Sequence, residues 1–348
     1  MTERRYERLR PAELRALVDE AAVAWMPIGT LEFHGEHLPF GVDGFEAHGL
    51  LRRAAARAGG VVLPATYLAS GCLDMPHTLT FDPALVHATT SATLDQLAAA
   101  GFETVVVLTG HGPLDLIHLL KRACAEASER NPGLTAYGLC WLELNAARLT
   151  APETGEPSAV DHAARVETSW MLALEPNLVA LDRLSDDPDA SHAGVYGRNP
   201  RFTADAAWGA GQVDAAAALL AERVRALRAQ PPAFDPASLD DLRRFVRFAW
   251  PERIEVARGE RPGTLTLRNP GRASRFVTSL TVRVGGAEQR GLTLVNRSPG
   301  ERGAPVSADA LGPERGFYLR RGQSATVEGL APHDAGADLD VEIGLGGV

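Results

Sequence analysis

Between residues 22 and 230, short apolar runs alternate with longer stretches of helical spacing. The runs "AVAWMPIG" (22–29), "VVLPA" (61–65), "ETVVVLTG" (103–110) and "LTAYGLCWLEL" (134–144) read as buried strands bounded by Gly or Pro. The stretches at 11–21, 44–59, 82–101, 115–130, 161–174 and 205–230 read as helices. In the third of these, Asp82 is placed as N-cap, Pro83 at the first helical position and Gly101 just past the end. Such alternation predicts βαβ units, and hence a three-layer α/β/α fold around a mainly parallel sheet. A chain of 348 residues, 45% of them hydrophobic, can bury a core of that kind.

The pattern changes after "AQPPAFDPASLDD" (229–241), which is rich in Pro, Ala and Asp. Beyond it stand seven short alternating runs, from "RIEVAR" to "LDVEIGLG", separated by Gly, Pro, Asn and Asp. These predict a small all-β sandwich. The expected organisation is an α/β domain at 1–232, a linker at 233–244 and the sandwich at 245–348.

Charge and cysteine usage narrow the function classes. The net charge is −9, and Lys121 is the only lysine. No block of basic residues reads as a nucleic-acid or membrane-surface footprint. The N-terminus lacks an apolar signal region, and no apolar run approaches the roughly eighteen residues of a membrane span. Cys72, Cys124 and Cys140 are odd in number and form no CxxC. They read as reduced thiols of a cytoplasmic protein.

In open α/β sheets, ligands bind beyond the carboxyl ends of the strands. Two titratable clusters fall there. The first is "GTLEFHGEHLPFGVDG" (29–44), carrying Glu32, His34, Glu36, His37 and Asp43. A hydrolytic Zn or Mn site takes His nitrogen and carboxylate oxygen and leaves a place for water. Glu32 and His34 are two apart, on one face of an extended segment. Asp43 could return from the loop to bridge two ions. The second cluster is "TGHG" (109–112), where glycines on both sides bring His111 close to a ligand. Asp115 reads as the N-cap of the helix that follows.

A third cluster is "DHAARVETSW" (161–170). His162 and Glu167 are five apart, about 140° around a helix, which suits separate roles or a His162 at the helix entry. An imidazole can act as general acid or proton shuttle, and Glu167 can complete a metal set. His77 could line the pocket, as could His37 and Trp170. Cys72 and Asp74 read as ordinary loop residues. The histidines at 48, 87 and 118 read as ordinary helix residues. Walker, Rossmann, GxSxG and HExxH motifs are absent from the sequence.

Taken together, the clusters resemble the creatininase (creatinine amidohydrolase) family. Its Gly-[Ser/Thr]-x-Glu-x-His-Gly-x-His-Leu-Pro-x-x-x-Asp segment stands here as Gly29, Thr30, Glu32, His34, Gly35, His37, Leu38, Pro39 and Asp43. Its Asn-Gly-His-Gly-Gly-Asn resembles Thr109–Leu114, and its His-Ala-Gly-x-x-Glu-Thr-Ser resembles His162–Ser169. The resemblance covers about 10–230 and says nothing of the sandwich.

The resemblance implies a two-metal centre, with Zn, Mn or Fe, that hydrolyses a C–N bond in a small cyclic or linear amide. By it, Glu32, Asp43 and His111 hold one metal. His34 and Asp43 hold the other, with Asp43 bridging. His162 is the proton-shuttling residue. A family acid falls at Pro113, for which Glu167 is the candidate replacement. Thr109 and Leu114 stand where the family has Asn, which argues against creatinine as substrate. A homo-oligomer, possibly a hexamer, is also implied. Amide formation, deformylation and a non-catalytic scaffold stand as alternatives.

Overall fold

A computed structural model describes residues 2–73, 75–145, 162–229, 254–269, 275–296, 305–311, 317–319, 324–331 and 338–345. The expected linker at 233–244 lies outside these residues, as does Asp161. The described residues fall into two compact units.

In the first unit, helix α1 (Pro11–Glu20) leads into β1 (Val23–Gly29), whose seven residues are all buried. Then come α2 (Val42–Ala58), β2 (Val61–Val62), β3 (Thr66–Tyr67), α3 (Pro83–Ala99), β4 (Thr104–Thr109), α4 (Leu114–Arg130) and β5 (Thr135–Cys140). The short α5 (Leu142–Asn145), α6 (Arg165–Leu174), the short α7 (Pro200–Thr203) and the long α8 (Ala206–Ala229) complete it. Asp82 caps α3 by accepting from Ala84 N at 2.7 Å, as its position before Pro83 predicts.

The sheet has the order β2-β1-β4-β5, with β3 also paired to β1, and every pairing is parallel. Buried on both faces, its strands read as continuous apolar runs. One helix layer packs Leu94 and Leu97 of α3 and Leu116, Leu120 and Cys124 of α4 against Met26, Ile28, Val105 and Val107. α2 packs along β1 and carries α6 and α8 against itself. This is the expected three-layer α/β/α arrangement.

The register decides where the site can form. Ile28 pairs with Thr109 and with Thr66, and Thr109 pairs with Cys140. The segments that leave β1, β3, β4 and β5 therefore start from one sheet edge, their carboxyl ends.

Three boundaries differ from expectation. The run at 134–144 stops as a strand at Cys140, because Glu143 turns back to accept from Cys140 N at 2.7 Å. α4 begins at Leu114, so Asp115 lies in its first turn rather than at the cap. α6 begins only at Arg165, because Ala163 has φ 54° and His162 forms a bridge to Tyr196.

The second unit contains β6 (Glu255–Arg258), β7 (Leu265–Arg268), β8 (Arg275–Val284), β9 (Ala287–Glu288), β10 (Thr293–Asn296), β11 (Val306–Ser307), β12 (Phe317–Leu319), β13 (Ser324–Glu328) and β14 (Leu339–Leu345). They form two antiparallel sheets, β11-β10-β13-β7-β6 and β12-β8-β14 with β9 on β8. Leu265, Leu267, Val277, Val282, Leu294 and Val327 share one core between the sheets. All seven expected strands are present, joined by the short β9 and β11.

Candidate metal centre

Glu32 and His34 lie in the loop that leaves β1. Glu32 N donates to Phe40 O at 3.0 Å, which closes that loop back on itself and delivers the chain to α2. Asp43 then falls in the first turn of α2, where a carboxylate is favoured by the helix dipole. Gly29 and Gly110 make this approach possible. A β-carbon on Gly29 would stand 2.3 Å from Gly44 N, and one on Gly110 would stand 2.0 Å from Asp43 O. The glycines thus let the start of α2 lie against the ends of β1 and β4, beside His111.

Five expected residues meet here. His111 Nδ1 is 3.2 Å from Glu32 Oε2 and 3.4 Å from Asp43 Oδ2. His34 Nε2 is 3.6 Å from Asp43 Oδ1 and 3.5 Å from Glu167 Oε2. Asp43 thus offers one carboxylate oxygen to each histidine. All five are buried, and Asp43 keeps 1% of its surface exposed. His162 stands beside them, its Nδ1 3.9 Å from Glu167 Oε2 and its ring 4.2 Å from that of His34.

The hydrogen bonds fix which atoms are free. His34 Nδ1 meets Glu32 O at 2.9 Å, and a carbonyl can only accept, so Nδ1 donates and Nε2 is the nitrogen that a metal would take once its proton leaves. That is the arrangement of a metal-ligating histidine, whose second nitrogen is anchored to the backbone. His34 Nε2 and Asp43 Oδ2 are buried without a hydrogen-bond partner among the described residues. The nitrogen and oxygen atoms of these four contacts converge at 3.2–3.6 Å, the spacing of donors to a shared cation. His34, Asp43 and Glu167 form one such group.

Electrostatics agree with the geometry. Burial alone would lower the pKa of His34, but Asp43 and Glu167 push it up to about 10. Burial likewise opposes the charge on His111, yet Glu32 holds its pKa well above the ordinary value. Burial would raise the Asp43 carboxyl, and His34 and His111 instead hold it far below the usual range. Protons on the two histidines therefore occupy the place of positive charge. His162 goes the other way. Burial and the neighbouring His34 lower it to about 4, so it is neutral at physiological pH.

Other expected residues lie elsewhere. Glu36 is exposed. His37 and Trp170, expected to touch substrate, are closed off from solvent. His37 Nε2 meets Thr168 Oγ1 at 3.0 Å, and Trp170 packs on Trp141 with ring centroids 4.6 Å apart. His77 is exposed, at φ 65°, with its ring 6.4 Å from that of Phe40. The Thr109 hydroxyl donates to His111 O and accepts from His111 N, so it shapes the His111 turn rather than facing a ligand.

Cys72 was not singled out by the sequence. Its thiol lies with donor atoms of Glu32 and His111, all within 4.8 Å of one another. No spacing rule brings 72 to 32 and 111. Only the pairing of β3 with the end of β1 does so.

Comparison with known proteins gives a consistent picture. A family model described as creatinine amidohydrolase matches residues 7–229. A creatinine amidohydrolase of Pseudomonas putida is 28% identical over 183 residues, 49% of this chain and 70% of that protein. A solved structure described as creatininase Mn aligns with a TM-score of 0.55 at 23% identity, covering 66% of this chain and 100% of that one. A mutant creatininase of the Zn-Zn type aligns with a TM-score of 0.55 at 24% identity, covering 67% and 100%. The family match runs through every residue of the buried cluster, from Glu32 to Glu167, and stops where α8 ends. Over its first 229 residues, the chain belongs to the creatinine amidohydrolase (creatininase) family.

Proposed function

We propose that the protein is a metal-dependent amidohydrolase that cleaves a C–N bond in a small cyclic or linear amide. The observation that carries this reading is Asp43, buried and charged, with one oxygen turned to His34 and the other to His111. Glu32, Asp43 and His111 would hold one divalent ion, and His34, Asp43 and Glu167 the other. Zinc and manganese are the candidates that the relatives' descriptions support, and iron is a third. Bound there, the ions would supply a nucleophilic water at neutral pH and polarise the amide carbonyl.

The chain's own residues do the rest. His162 Nε2 donates to Phe33 O at 2.9 Å, which fixes the ring and leaves Nδ1 as the basic nitrogen. Neutral and beside Glu167, Nδ1 can take a proton and hand it to the leaving nitrogen, which departs as an amine. Glu167 is held in turn by Ala163 N, which donates to Oε2 at 2.5 Å. Burial keeps bulk water from competing with the substrate. Assembly as a homo-oligomer, a cytoplasmic location and the domain limits 1–232 and 245–348 belong to the same proposal.

The test is hydrolysis of a panel of small amides and lactams by the metal-loaded protein, read as release of amine. His162→Ala should slow turnover roughly 10²–10⁴-fold while metal content stays unchanged. Equal turnover by this variant would remove His162 from the chemistry. A loaded protein inert on the whole panel would remove the hydrolase reading.

A further inference from the structure

We propose that Cys72 is a metal donor, a thiolate that completes the Glu32–Asp43–His111 position. This rests on the metal reading above. Three observations carry it. The Cys72 thiol, a Glu32 carboxylate oxygen and a His111 ring nitrogen lie within 4.8 Å of one another. Two donors bound to one tetrahedral zinc stand about 3.5 Å apart when one is sulfur and the other nitrogen. A small movement of one loop would therefore close the set.

The thiol is also held in place. Thr30 Oγ1 lies 3.1 Å from Cys72 Sγ, and the thiol donates to Leu79 O at 3.3 Å. The next residue, Leu73, donates its N–H to the other oxygen of Glu32 at 2.5 Å, which ties the Cys72 loop to a neighbouring donor. Finally, the two positions are unequal in their other donors. Cys72 groups with Glu32 and His111, and Asp43, whose Oδ2 is 3.4 Å from His111 Nδ1 but outside that group, would be the fourth donor of a closed zinc site. The His34 side has three, which leaves a place open for water or substrate.

On ligation Cys72 gives up its hydrogen bond to Leu79 O and its proton goes to solvent, and the sulfur lone pair forms the bond to the ion. Thiolate selects zinc or cobalt over manganese, while the carboxylate-rich His34 side accepts manganese. The two positions thus differ in both metal preference and ease of removal.

Cobalt(II) titrated into the metal-free full chain under reducing conditions tests this. The expected result is a near-ultraviolet thiolate-to-cobalt charge-transfer band that saturates at about one cobalt per chain. It should vanish in Cys72→Ser, which keeps the visible cobalt bands, and survive in Cys124→Ser. Cobalt uptake without the charge-transfer band, or a band that survives Cys72→Ser, overturns the proposal and leaves the hydrolase reading standing. No uptake overturns both. Alkylation of wild-type Cys72 serves as an independent check, because Cys124 and Cys140 are buried. Zinc should slow it at least about tenfold, and equal rates with and without zinc contradict the assignment.

Discussion

The main-chain oxygen of Asp43 lies so close to Gly110 that a β-carbon there would stand 2.0 Å from it. The first turn of α2 can reach His111 only because residue 110 has no side chain. Gly110→Ala should therefore push Asp43 away from His111. Overpacking of this kind costs about 1–3 kcal/mol, visible as a lower unfolding midpoint. Metal content should fall with it. A variant of native stability and full metal content would show that the contact does not position the site.

Glu167 is the acid proposed to replace the one that the resemblance places at Pro113. Its Oε2 is 3.5 Å from His34 Nε2 and accepts from Ala163 N. Glu167→Gln keeps the shape and loses the charge. The expected outcome is loss of the metal on the His34 side, with the His111 side still filled. Elemental analysis reads this as a drop of about one ion per chain. Unchanged stoichiometry would assign Glu167 to proton transfer alone.

Metal uptake should release protons. In the metal-free protein His34 titrates at about 10 and His111 well above its ordinary value, so both carry protons near pH 7.5. Ligation needs neutral imidazole, so apparent affinity should rise with pH up to about 10. The same shifts act on stability. Between the unfolded value near 6.5 and the raised folded value, the folded state binds more protons than the unfolded state. The stability that His34 adds to the metal-free protein is therefore complete below about pH 6.5 and is lost as pH rises towards 10. Calorimetry in buffers of different ionisation enthalpy counts the protons. Uptake that releases none would contradict the protonation scheme.

Lys121, the only lysine, is buried in α4 with its Nζ 2.9 Å from Glu143 Oε2. Glu143 Oε1 accepts from Cys140 N, at the end of β5. Lys121→Ala leaves that carboxylate buried without the ammonium. The expected cost is about 3–5 kcal/mol in denaturant unfolding, and Lys121→Ala/Glu143→Gln should lose less. A loss under about 1 kcal/mol would show that the pair is not a support for this strand end.

Much of this architecture was legible in the residues. Strands built from apolar runs and closed by Gly29 and Gly110 put Glu32, His34 and His111 at one sheet edge by topology alone. Asp43 followed from motif spacing, although α2 starts at Val42 rather than Gly44 and so carries Asp43 in its first turn. The entry to α6 was not legible. Ala163 takes a left-handed φ of 54°, and His162 pairs with Tyr196, thirty-four residues away. No local signal marks either event. The position of Cys72 was hidden for a similar reason. It follows from β3, a two-residue strand too short to show a period.

The most direct test of the metal centre is elemental analysis of the full chain purified without chelator. The account predicts about two divalent ions per chain, falling to fewer than one in Asp43→Asn, because Asp43 faces both histidines. A folded protein that holds no divalent ion, even after incubation with excess zinc or manganese, would contradict it.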